Sequence, residues 1–195
     1  TSATLAPVSG LSAPPPRRMA GTSTDDPLPD DITRRLKPLA EAAHTRNATV
    51  LVDPSLIDEV RAMASGYLVA GKGSHTVAGT GQEQAKEWLN LVEPLLSSGR
   101  AYRLPYGNAD VIGAARQGRS SLLLTVKHAV DPSNPAAHLP LAIIDPAAEL
   151  DNSSFKTLAK ELSPSVILTC AASVRKGVRE DFGVKIVGLD DAVRT

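Results

Sequence analysis

The residues best suited to chemistry cluster in one short stretch, Tyr102-Arg103-Leu104-Pro105-Tyr106-Gly107-Asn108-Ala109-Asp110. It reads as a strand that enters a turn and then a capped helix. Pro105 ends the extended run, Gly107 supplies the unusual backbone angle, and Asn108 can cap the helix carrying Val111, Ile112 and Ala115. Arg103, Tyr106 and Asp110 are left without a structural task, and an arginine beside a tyrosine at a strand end can hold a carboxylate or a sugar face. Two more carboxylates follow apolar runs, Asp53 in Val50-Leu51-Val52-Asp53-Pro54 and Asp145 in Ile143-Ile144-Asp145-Pro146. Each has a structural reading, because Asp caps helices and Pro is preorganised for the first helical position. Each also has a chemical one: converging on a single rim, the pair could act as acid and base, activate water or hold hydroxyls. Lys127-His128, read as following a strand, would join that rim.

Other chemistries find weaker support. The histidines His44, His75, His128 and His138 show no i,i+4 pairing, and one cysteine cannot supply a soft ligand set, so no metal site or cofactor is expected. Cys170 ends the apolar run Val166-Ile167-Leu168-Thr169-Cys170 and reads as a core thiol. The stretch Gly66-Tyr67-Leu68-Val69-Ala70-Gly71-Lys72-Gly73 imitates a phosphate-binding loop but lacks the final Ser or Thr and follows a helix instead of a strand. The better reading of residues 66–81 is a long, mobile, glycine-rich loop that serves as a lid or a connector.

With 21 basic and 21 acidic residues in 195, the chain has no broad positive field to attract nucleic acid or an anionic membrane. Residues 1–30 are proline-rich and read as extended loop, with Leu5-Ala6-Pro7-Val8 as a possible edge strand. Residues 31–195 read as one α/β domain. A helix is expected over about 31–43, with Ile32, Leu36, Leu39 and Ala43 on one face and a break at Pro38. Strands are expected at Thr49–Val52, Ala101–Leu104, Leu122–Val126, Leu141–Ile144, Ser165–Cys170 and Val184–Val187, with helices around Leu56, Trp88, Val111, Phe155 and Val174 to Val178. Apolar strands alternating with helices imply a mainly parallel sheet covered on both faces, of about seven strands. It is expected as a distorted (β/α) barrel, with an open doubly wound sheet as the alternative.

Two resemblances sharpen this reading. Arg103-Leu104-Pro105-Tyr106-Gly107 resembles the third motif of polysaccharide deacetylases of the NodB type, which lines the groove of a distorted barrel. Val52-Asp53-Pro54 is similar to that family's first motif, and His75-Thr76-Val77-Ala78-Gly79 to its second, with Gly79 in place of a metal-binding histidine. Four blocks further resemble actinobacterial membrane-anchored envelope proteins: Ala13 to Arg17, Val52 to Tyr67, Gly79-Thr80-Gly81 before Trp88-Leu89, and Leu104 to Val111. That resemblance implies an extracytoplasmic ectodomain that meets the membrane only through a segment outside this chain. The expected function is non-catalytic binding of a glycan, a peptidoglycan fragment or an envelope protein through Arg103, Tyr106, Asn108, Asp110, Lys127 and His128. The alternative is a hydrolase or deacetylase of envelope carbohydrate that works through Asp53 and Asp145.

Overall fold

The computed structural model describes residues 28–46, 48–70, 75–170 and 178–189. The expected strand at Leu5 to Val8, most of the proline-rich segment, the loop tip at Lys72, the side chain of Cys170 and the helix expected at Val174 lie outside the described residues. In chain order the elements begin with α1 (Leu28–Asp31), a π-helical turn (Ile32–Leu36), α2 (Lys37–Thr45), β1 (Val50–Val52), α3 (Pro54–Ser65), β2 (Leu68–Ala70), β3 (Thr76–Ala78) and α4 (Gln82–Leu96). There follow β4 (Ala101–Arg103), a 3-10 turn (Tyr106–Asn108), α5 (Val111–Arg116), α6 (Ser120–His128), β5 (Ala142–Asp145), α7 (Asn152–Leu162), β6 (Val166–Cys170), β7 (Val178–Asp181) and β8 (Val184–Leu189). The described residues fall in two compact units, one drawn from Thr1–Val50 and Leu56–Arg100, the other from Leu51–Ser55 and Ala101–Thr195.

In the first unit Pro38 reshapes the opening helix. Proline has no N–H to give the Arg34 carbonyl and its ring crowds that carbonyl, so the preceding turn widens and the Lys37 N–H reaches back five residues to Ile32. The extra residue rotates the buried face. Ile32 and Ala40 point inward while Leu39, expected on the inner face, is exposed. Against this helix lies α4, which buries Ala85, Trp88, Val92 and Leu95 at helical spacing. The Lys37–Glu87 ion pair at 3.3 Å and a His44 Nε2–H donating to the Leu91 carbonyl at 2.7 Å hold α2 to α4, so His44 has a structural task.

The glycine-rich stretch is not the loop that its composition suggests. Among its described residues β2 and β3 pair antiparallel, with Leu68 opposite Ala78 and Ala70 opposite Thr76. Tyr67 sits at the base of this hairpin, 1% exposed. The Gly79 N–H donates to the Tyr67 carbonyl at 2.9 Å, and the Gly81 N–H donates to the Tyr67 hydroxyl at 3.0 Å. A Cβ on Gly79 would lie 2.1 Å from the tyrosine ring. These glycines let backbone lie directly on an aromatic face, a packing role that composition does not separate from flexibility.

The second unit is a mixed α/β unit built on parallel strands. Its strand β1 begins at Val50, the last residue of the first unit's opening segment; the bonds Val50 N–H to Arg100 O, both in the first unit, and Leu104 N–H to Val52 O, both in the second, advance together along β1 and β4, the parallel pattern. A parallel bridge from Arg103 to Leu141 joins β4 to the start of β5. From there the order is β5-β6-β8-β7, with β5, β6 and β8 parallel and β7 an antiparallel strand beside β8. Among the described residues no pairing returns from β7 to β1, so the closure that a barrel requires is not shown. Strand order follows chain order up to the final hairpin. Right-handed crossovers are the rule between parallel strands in such an order, and they place the intervening helices on one side. The core agrees: α5, α6 and α7 bring Ile112, Leu123, Phe155 and Leu158 against Leu141, Ile143 and Ile167 of a single sheet face. Burying a side chain of this size contributes roughly 1.5–3 kcal/mol.

Two expected elements are corrected here. Residues 122–126 form part of helix α6 and not a strand: Leu123 and Val126 face the core while Leu122 and Leu124 are exposed, a helical pattern that three adjacent leucines conceal. Val178, read as helical, opens β7. α7, by contrast, starts where Asp151 accepts the Ser154 N–H at 2.7 Å, a bond that holds the Asp151 carboxyl below its usual range.

The β7–β8 hairpin closes through Phe182 and Gly183, both at positive φ (50° and 75°). Such two-residue turns favour Asn-Gly, and a bulky residue is strained there. Phe182 is 63% exposed, with its ring 6.0 Å from that of Phe155. We expect Phe182→Asn to raise stability by about 1 kcal/mol. A urea midpoint that falls would show that the contact with Phe155 outweighs the turn strain.

Candidate functional site

The parallel strands of the second unit end together, and the loops after them build the site. Asp53 follows β1, and its Oδ1 accepts the Ser55 N–H at 2.9 Å and the Gly107 N–H at 3.0 Å. The first bond opens α3 as the Asp-Pro pair predicts. The second clasps the turn that follows β4. Gly107 (φ 66°) and Asn108 (φ 49°) both adopt the left-handed conformation that aims this N–H at the carboxylate. Asn108 is not the helix cap; that task falls to Asp110, whose Oδ1 accepts the Gly113 N–H at 2.8 Å. A Cβ on Gly113 would meet the Asp110 carboxylate, so a larger residue there would push the cap aside.

Asp145 ends β5 and is 3% exposed. It opens no helix, because α7 starts seven positions later at Asn152. Instead, its Oδ1 accepts the Glu149 N–H at 3.0 Å and its Oδ2 the Leu150 N–H at 3.2 Å, folding the Pro146–Leu150 segment over the strand end. A buried carboxylate needs such partners. Asn134 does comparable work in the segment between α6 and β5. Its Nδ2 donates to the Pro54 carbonyl and its Oδ1 accepts the Ala136 N–H, both at 2.8 Å, with the residue 1% exposed.

Between the loop after β4 and the end of β5 lies a cleft of about 180 Å³, lined by Leu104, Pro105, Asn108, Asp110, Ile112 and Ile144, among others. Asn108 and Asp110, both expected to bind ligand, come together here. The isoleucines went unforeseen, because a strand's apolar run does not reveal which member will open onto a cleft. Tyr106 is half-buried in the same turn. Lys127 and His128 are exposed in the last turn of α6, where cationic side chains suit the helix terminus, and they do not follow a strand.

Arg103 does not line this cleft. Its bridge with Leu141 puts it on the helix-covered face, since paired neighbours in a sheet point the same way. Among the described residues its buried Nε meets no acceptor, and burial pushes the guanidinium below its ordinary pKa. Among the described residues no group of three or more His, Cys, Asp or Glu could hold a metal ion, and no helix is long and apolar enough to cross a membrane.

No family model, curated protein or solved structure matches this chain. The geometry alone therefore bears on function. It offers a small cleft of mixed polarity at the end of parallel strands, lined in part by Asp110, whose carboxylate accepts a backbone N–H.

Proposed function

We propose that the cleft beyond β4 and β5 is the docking face of a non-catalytic cell-envelope domain that takes a glycan, a peptidoglycan fragment or a protein partner. One observation supports this above others: Asp53, Asp110 and Asp145 all accept backbone N–H groups of the loops that shape the rim. A general acid or base must hold its proton within hydrogen-bond reach of substrate. A carboxylate that fastens its own loop is poorly placed for that work. The cleft is also below the roughly 300–1,000 Å³ of pockets for drug-sized ligands, a size that suits one ring or side chain of a longer ligand lying across the strand ends. The envelope setting rests on the four sequence blocks described above, and the rim is read as the end of an open sheet instead of a barrel mouth.

The test is retention on purified cell wall. Wild type should sediment with it, and Asn108→Ala and Ile144→Asp should each lower affinity roughly tenfold, the effect of losing about 1.4 kcal/mol. Equal retention of wild type and both variants, or none of any, would remove the reading. The competing hydrolase or deacetylase has its own outcome: release of reducing ends or acetate by wild type that stops in Asp53→Asn and Asp145→Asn.

A further inference from the structure

The cleft of the second unit offers acceptors and no cation. Among the described residues that line it, Asn108 and Asp110 supply the polar side chains, and no lysine, arginine or histidine is present. Asn108 is exposed, and its side-chain amide makes no hydrogen bond among the described residues. Asp110 is exposed as well, with one carboxylate oxygen engaged by the Gly113 N–H. Two further carboxylates stand close to the lining: Asp145 follows Ile144, and Asp53 accepts the N–H of Gly107, the neighbour of Asn108. Among the described residues none of these carboxylates is in an ion pair. Each is satisfied by neutral backbone N–H groups, which leave its charge in place. The positive pole that the six-residue α5 turns toward Asp110 is smaller than the charge of that carboxylate. A cleft with charges of one sign at its edge draws the opposite sign toward it.

We propose that the cleft takes a primary ammonium carried on an aliphatic stem, the lysine-type side chain of a peptide, in preference to neutral or acidic side chains. This rests on the reading of the cleft as a docking face and names the group that enters it. Apart from Asn108 and Asp110 the side chains of the lining are apolar, Leu104, Pro105 and Ile112 among them, and Ile144 is 37% exposed there. Long cationic side chains lay their methylenes along such surface and keep the charged head in a polar setting. The head would donate to the Asp110 carboxylate and to the Asn108 side-chain oxygen. An ammonium has three donors and no acceptor, the complement of a rim that holds acceptors and no cation. A volume of about 180 Å³ admits one such side chain and leaves the peptide backbone outside. Among the described lining residues there is no aromatic ring, so a sugar finds no flat face to stack on. A phosphate or a carboxylate would bring charge of the wrong sign, and juxtaposed like charges exclude a ligand as effectively as opposite charges attract one.

Capped tripeptides with alanine at each end and lysine, Nε-acetyllysine or glutamate in the centre, titrated into the nitrogen-15-labelled whole chain, test this at the amides of Asn108 to Ile112 and Ile144. The lysine peptide should give saturable shifts there, and acetylation should weaken binding roughly fivefold, the upper end for an ion pair that water still reaches. The glutamate peptide should bind more weakly again. Asp110→Asn keeps a residue that caps helices yet removes the charge, so it should abolish most of the preference for lysine over acetyllysine. Equal affinity of wild type for these two peptides, tighter binding of the glutamate peptide, or a preference unchanged in Asp110→Asn would overturn the proposal. Should Asp110→Asn fail to fold, the order of the three peptides on wild type still decides. Cell-wall retention that depends on Asn108 and Ile144 while no peptide shifts those amides would overturn this proposal and leave the docking face standing. Neither shifts nor retention would remove both.

Discussion

Gly79→Ala should lower the unfolding free energy by about 3 kcal/mol, at the upper end of what overpacking costs. The added methyl would stand 2.1 Å from the ring of Tyr67, and neither party has an easy retreat. The ring is buried, and its hydroxyl is fixed by the Gly81 N–H. The Gly79 backbone is itself held by its bond to the Tyr67 carbonyl. Relief therefore requires the β2–β3 hairpin to separate from its base. Trp88, the only tryptophan and buried in the same unit, reports this unfolding by fluorescence in urea. Tyr67→Ala removes the obstacle, so the double variant should lose clearly less than the sum of the two single losses. Additive losses, or a Gly79→Ala protein as stable as wild type, would mean that this stretch is the flexible connector its composition suggests.

The second large effect is expected at Asp145. Asp145→Ala removes both oxygens that accept from Glu149 and Leu150, leaving two N–H groups of a folded-over loop without partners at a buried strand end. A loss of about 2–3 kcal/mol is expected from the desolvation cost of such groups. Asp145→Asn keeps one acceptor oxygen and should lose roughly half as much. Urea unfolding followed by circular dichroism measures both. The comparison separates structure from catalysis, since a catalytic carboxylate usually tolerates the amide with little loss of stability. Unchanged midpoints in both variants would leave Asp145 available for chemistry and reopen the hydrolase reading.

The features that sequence revealed are those fixed by local rules. Strand-Asp-Pro at Val52 to Pro54 implied a capped helix, and α3 opens there with Asp53 accepting the Ser55 N–H. The same dipeptide at Asp145 misled, because the choice of a five-residue Asx-type loop over a helix is made by the residues beyond the proline and not by the pair itself. The cap of α5 moved from Asn108 to Asp110 for a similar reason. Once Asp53 draws the Gly107 N–H, Asn108 is left in a left-handed turn, and the next carboxylate takes the helix. Leu122–Val126 shows the limit of periodicity, since a short apolar run satisfies helix and strand alike until packing selects Leu123 and Val126. That error carried Lys127 and His128 to a strand end that they do not occupy. Tyr67 and Phe182 were invisible for another reason. Their roles depend on contacts with Gly79 and Phe155, far along the chain, that no local pattern encodes.

In the proposed function the strand-end carboxylates shape a docking cleft and perform no chemistry. Solubilised cell-wall glycan fragments titrated into the nitrogen-15-labelled chain test it most directly, with mass spectrometry of the same samples. Saturable shifts centred on the amides of Asn108 to Ile112 and Ile144 are expected, with every fragment recovered intact. Fragments shortened or deacetylated by wild type, or shifts absent from those residues while binding occurs elsewhere, would contradict it.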